Sequence, residues 1–158
     1  MKKWLIKESI LFYVGFVTYI AIECCFRGYS YPLMGIVGGI SLILLDKIND
    51  GISWDIPLIL QMILGGLIVT GLELLSGEFA LNILHIRMWD YSGQWMAMCD
   101  DLICPLFSLF WVLLSGIGII LADAINYYIL HDEQRPYYLK LSGKILFMLP
   151  TRECDNNG

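Results

Sequence analysis

The chain has 158 residues, the size of one compact domain, with 58% hydrophobic residues, only 16% charged ones and a mean hydropathy of +0.67. A soluble domain is about 45–50% apolar, so this composition excludes a soluble globular enzyme and a disordered tail, and 15 acidic against 10 basic residues argue against a nucleic-acid binder that tracks phosphates. What is left is a protein that lives in a membrane.

Four stretches contain no Asp, Glu, Lys or Arg: residues 9–22, 28–45, 56–72 and 102–122. At about 1.5 Å per residue the last spans roughly 31 Å, enough for a bilayer core of about 30 Å. The second and third sit near the lower limit. The first reaches across only with its apolar flanks, Trp4, Leu5 and Ile6 before it and Cys24, Cys25 and Phe26 after it. An all-α integral membrane protein with four transmembrane helices is therefore expected. Prolines support the division: Pro32 stands just inside the second span, and Asp55 before Pro57 and Asp100–Asp101 before Pro105 read as helix starts, where a missing N–H costs nothing. An unpaired acid at the bilayer centre costs about 2.5–3.5 kcal/mol, so Glu23 is expected at the interface or paired. Between spans three and four, residues 73–101 are long for a loop and mix apolar with polar residues. An outer amphipathic helix, or a re-entrant element, is expected over 78–98. Residues 1–130 then form the helical transmembrane domain and 131–158 a cytoplasmic tail, partly interfacial. Its Arg135, Tyr137, Tyr138 and Lys140 suit either anionic headgroups or a plain basic flank.

Orientation follows from Lys and Arg. With the N-terminus inside, the cytoplasmic face holds Lys2, Lys3, Lys7, Lys47, Arg135, Lys140, Lys144 and Arg152, and the outer face only Arg27 and Arg87. Both termini are therefore expected in the cytoplasm, with the chain in the cell inner (plasma) membrane. Aromatics fall at both interfaces: Trp4, Trp54, Tyr127 and Tyr128 inside, Tyr29, Tyr31, Trp89 and Trp95 outside. The N-terminal run imitates a secretory signal but lacks a small-x-small cleavage site, so an uncleaved first span is expected.

Small residues four apart recur in the spans: Gly35 and Gly39, Gly66 and Thr70, Gly118 and Ala122. Such pairs let helix backbones approach closely where lipid supplies no hydrophobic drive. Packing within one subunit, a dimer seam and no special role all remain open. Gly66, Thr70, Glu73 and Gly77 share one helix face, which points Glu73 into the bundle. Glu23 and Arg27 are also four apart. A polar cluster of Glu23, Arg27, Glu73, Arg87, Trp89 and Asp90 is therefore expected toward the outer side, either structural or a site for a ligand or ion. No catalytic residue is assigned.

The cysteines, Cys24, Cys25, Cys99, Cys104 and Cys154, lack zinc spacing. Outer disulfides and free thiols both remain open. No phosphate-binding loop, no zinc-protease His pair and no nucleophile elbow is present, so no metal or cofactor is expected. A non-enzyme is the reading, with an intramembrane enzyme using Glu23, Glu73 or Asp90 as a base as the remaining alternative.

The residues also carry a family likeness. Arg27–Gly28–Tyr29–Ser30 resembles an R-G-x-S turn. Glu73 followed by Arg87–Met88–Trp89–Asp90–Tyr91–Ser92 resembles an acid and then R-x-W-D-Y-S. The stretch from Leu102, Ile103, Cys104 and Pro105 to Trp111 resembles an I-C-L-x-x-S-L-x-W helix start. These features, between residues 12 and 128, are similar to those of the bacterial ABC-transporter type IV, or CmpB-like, permease family. The chain departs where that family has N-x-x-G, here Met96 to Asp101. The resemblance implies a multi-pass, transporter- or permease-like subunit without its own ATPase, moving a small solute and partnered by lipid, by itself as a homo-oligomer, or by a separate ATPase subunit. The alternative is a membrane scaffold or oligomeric pore with no transport chemistry.

Overall fold

The computed structural model describes residues 2–51, 57–131, 138–141 and 144–151. Helix α1 (Lys2–Arg27) ends at Gly28, whose φ of +82° suits a residue without a side chain and whose N–H returns to the Cys24 carbonyl at 2.9 Å. Pro32 opens α2 (Pro32–Gly51), Pro57 precedes α3 (Leu58–Phe79), and Pro105 is the first residue of α4 (Pro105–Ala124) after an extended Cys104. The expected helix start at Asp55, and Trp54 of the inner aromatic belt, lie outside the described residues. Helices α3 and α4 each run on into a π-helical turn, Ala80–Leu84 and Ile125–Leu130. Each turn stops at a left-handed histidine, His85 or His131, a residue type that tolerates that region better than most.

Three of these helical stretches, Lys3–Arg27, Leu58–Leu84 and Pro105–Leu130, are long and apolar enough to cross a membrane. Their outer faces carry exposed Tyr13, Phe26, Ile59, Leu67, Leu75 and Ile117. A helix apolar on its exposed face as well as its packed one belongs in lipid rather than water.

Glycine sets the closeness of the bundle. Helices α1 and α2 run antiparallel with Gly15 against Gly38. A methyl on Gly35 would lie 2.6 Å from the Phe16 ring, and one on Gly39 2.6 Å from Phe12. Helices α3 and α4 also run antiparallel, with Gly66 against the backbone of Val112 and Gly116 against Met62. Gly118 abuts Leu45 of α2, Ala122 is fully buried beside Leu11, Leu42 and Ile125, and Thr70 is half-buried on α3. The glycine notches are thus filled by side chains of the same chain.

One expectation is corrected. Residues 78–98 form no separate amphipathic or re-entrant helix. The first part, through Leu84, is the end of α3, and the remainder is a turn-rich loop closed by a single bridge between Met98 and Ile103. The irregular mixture of apolar and polar residues has a simple origin. Met88 and Trp89 turn inward to pack with Met34, Ala80 and Leu102, while Trp95, Met96 and Met98 face outward. In the tail, β1 (Tyr138–Leu141) pairs antiparallel with β2 (Lys144–Met148). The Tyr128 hydroxyl donates to the Pro150 carbonyl at 2.5 Å, tying the tail to the end of the fourth helix.

Candidate functional site

The buried face of α3 carries Gly66, Glu73 and Gly77. Glu73 is 2% exposed, and both of its oxygens are taken. Oε1 accepts from the Tyr91 hydroxyl at 2.9 Å, and Oε2 accepts from Trp111 Nε1 at 2.7 Å. A buried carboxylate needs such donors, because burial without them forfeits its hydration. One side chain thus ties α3 to the loop that follows it and to α4. Burial and the nearby Glu73 carboxylate hold the Tyr91 phenol above its usual pKa, so it stays protonated and donates. The aromatic partners are themselves stacked: Tyr91 on Phe107 at 4.5 Å between centroids, and Trp111 on Tyr19 of α1 at 5.6 Å.

Beside this lies a second knot at the end of α1. Arg27 donates to Glu23 at 2.5 Å and to the Met88 carbonyl at 2.9 Å, while the Ser30 hydroxyl donates to the other Glu23 oxygen at 2.5 Å. Arg27 also stands 5.1 Å over the Tyr29 ring. Glu23 is therefore paired at its helix end, which offsets the cost of an acid so close to lipid.

The six residues singled out from the sequence do not form one cluster. Trp89 is buried, donates to the Leu102 carbonyl at 3.0 Å, and is accommodated because Gly77 has no side chain. Arg87 and Asp90 lie on the exposed loop. Arg87 donates to the Asp100 carbonyl at 3.0 Å and sits 3.8 Å from Asp90. The Asp90 carboxylate accepts from the Ser92 N–H at 2.8 Å, which holds its pKa below the usual carboxylate value. Among the described residues neither Arg87 nor Asp90 bonds to Glu73.

The loop carries unusual backbone geometry where the chain departs from N-x-x-G. Met96, Cys99, Asp100 and Asp101 all have φ between 53° and 61°. Asn and Gly adopt that region most readily. Met96→Gly is expected to raise stability by about 0.5–1 kcal/mol, a left-handed penalty of about 1–2 less the extra chain entropy of glycine. Gly28→Ala should lower it by about 1 kcal/mol. Thermal unfolding in detergent reads both, and a Met96→Gly protein that melts earlier than the parent would show that this loop stores no strain.

Sequence reading missed a buried polar knot at the other end of the bundle. Lys7 of α1 pairs with Asp46 of α2 at 3.0 Å, and Asn126 donates to the same carboxylate at 2.5 Å. Asp46, Asp123 and Asn126 are all almost fully buried. Lys47 pairs with Glu8 at 3.2 Å and stands 5.8 Å from the Trp4 ring. Cys24, Cys25, Cys99 and Cys104 carry free thiols, Cys104 buried beneath the start of α4.

Three helices apolar enough to cross a membrane, packed around a buried carboxylate held by Tyr91 and Trp111, mark a membrane protein. The family model described as "Putative ABC-transporter type IV" matches residues 4–150, nearly the whole chain, and the protein belongs to that family. No curated protein and no solved structure matches it.

Proposed function

We propose that the chain is the membrane-embedded, permease-like subunit of a transport system, that it has no ATPase of its own, and that it moves a small solute past the Glu73 latch. In this reading α2 crosses with the other three helices, both termini lie in the cytoplasm of the inner membrane, and residues 131–158 form the cytoplasmic tail. At about 1.5 Å per residue the 20 residues of α2 reach about 30 Å, and its close antiparallel seating on α1 supports a full crossing. The observation that carries the reading is the Glu73 carboxylate joined to Tyr91 and Trp111. An ionisable group kept inside a membrane bundle marks a substrate or ion pathway by default. Here one of its donors, Trp111, also lines the space between α1 and α4, stacked on Tyr19.

The test is depletion of solutes from a defined medium, compared by mass spectrometry between cells with the chain and cells without it. Expected is at least one solute whose uptake needs the chain, falls at least tenfold with Glu73→Gln, and changes less than twofold with Asp90→Ala, at equal membrane abundance. Identical depletion with and without the chain overturns the transport reading and favours a scaffold.

A further inference from the structure

Helices α1 and α4 leave the bundle open between them. Along the membrane interior they scarcely touch among the described residues. Apart from the Tyr19–Trp111 stack, the edge contact of Phe26 with Phe107 and Leu11 beside Ala122, α1 meets the fourth helix chiefly at its π-helical end, Ile125–Leu130. Helix α2 lies behind both, and in front of it is a cavity of about 170 Å³. Tyr19 and Trp111 roof it, and Leu45 and Leu121 line its inner end. At its mouth are Ile22 and Ile117, 42% and 67% exposed, so on the four-helix reading it opens sideways into lipid rather than upward into water.

The lining is mostly apolar; besides the polar tips of Tyr19 and Trp111 and the exposed Thr18 of α1, its polar side chains are Ser41 of α2 and Ser115 of α4. Both serines are buried, 6% and 1% exposed, and neither hydroxyl oxygen has a hydrogen-bond partner. Buried polar groups are nearly always paired, and a serine in a helix ordinarily bonds back to its own backbone when nothing better is offered. Two such hydroxyls on different helices, both lining one cavity, mark a place for a partner that the fold itself does not supply. An acyl chain could fill the volume but leaves both unpaired. No charged side chain lines the space, so an ion is not accommodated either.

We infer that this cavity binds a neutral amphiphile, an aliphatic body with one hydroxyl or carbonyl, that enters from the bilayer and pairs its polar atom with Ser41 and Ser115. A heavy atom at liquid density takes up to about 30 Å³, so the enclosed part holds a molecule of roughly six heavy atoms or slightly more, and a longer tail extends through the open side. The inference rests on the permease reading only in naming the transported class. Binding is measured without transport, so an occupied cavity in a chain that moves nothing would sink that reading and keep the site.

The probe is hexanol carrying a diazirine, photolysed with the full chain in lipid vesicles and mapped by peptide mass spectrometry. Expected is saturable labelling of the α2 and α4 peptides that contain Ser41 and Ser115, displaced by hexanol but not by hexane. It should fall at least tenfold in the Ser41→Ala/Ser115→Ala double variant, which loses only unpaired hydroxyls and should melt like the parent. Ser41→Thr/Ser115→Thr keeps both hydroxyls and should retain labelling if it too melts like the parent. Labelling that does not saturate, that spreads over lipid-facing Ile59, Leu67 and Leu75, that hexane displaces as well as hexanol does, or that survives in the double alanine variant overturns the proposal.

Discussion

Replacing Glu73 with alanine should lower the unfolding free energy by about 2–5 kcal/mol. The carboxylate accepts from Tyr91 and from Trp111, and removing it strands two buried donors at about 1–3 kcal/mol each. Glu73→Gln keeps one acceptor oxygen and presents an N–H₂ where the second was, so one donor faces another and the loss is about 1–3 kcal/mol. A double-mutant cycle separates this from a general loss of packing. In the Glu73→Ala background Tyr91→Phe should cost almost nothing, because the hydroxyl it removes has already lost its acceptor. Unfolding is followed by tryptophan fluorescence and circular dichroism in detergent. If Glu73→Ala unfolds with the parent, the carboxylate does not join the loop after α3 to the helices.

The second large effect is at Gly38. A methyl there would strike the Tyr19 Cβ and the Gly15 carbonyl. Both belong to the opposing helix's backbone or its root and cannot swing aside. Gly38→Ala should therefore cost about 1–3 kcal/mol through overpacking. Gly71→Ala is the counterpart: it also lies mid-helix, but a methyl there meets nothing within 4 Å. It should stabilise α3 by about 0.5–1 kcal/mol, the difference between glycine and alanine in a helix interior. Opposite signs for one chemical change would identify the α1–α2 seam as the constraint. Equal effects at the two sites would remove it.

Much of this was legible in the sequence, for physical reasons that differ by region. The helices announce themselves because charge is excluded from lipid-facing stretches and proline gathers at helix starts, as Pro32 and Pro105 do. Glu73 could be pointed inward from Gly66 and Gly77 on the same face. Its partners could not be found that way. Tyr91 and Trp111 are 18 and 38 residues away, and spacing along the chain does not encode such contacts. The available signal was chemical: a buried acid demands N–H or O–H donors, and both aromatics lie within the stretches that carry the family likeness. Lys7 and Asp46 were missed for a related reason. Each sits just beyond a charge-free run, where a solvated flanking charge is the ordinary expectation, yet antiparallel packing of α1 on α2 brings them to 3.0 Å. The loop after α3 misled because Ile86 and Met88 alternate in sequence with His85 and Arg87 as an amphipathic element would, yet Met88 packs inward with Trp89.

Cysteine accessibility decides the threading on which the rest depends. With Cys24, Cys25, Cys99, Cys104 and Cys154 replaced by serine, single cysteines are introduced at Lys3 and at Asp90, and intact cells are treated with a membrane-impermeant maleimide. Crossings by α1, α2 and α3 place these positions on opposite faces. Asp90→Cys should then react at once, and Lys3→Cys only after the membrane is opened. Reaction of both from the same face would mean that α2 does not cross, and the four-span arrangement on which the proposed solute path depends would fall.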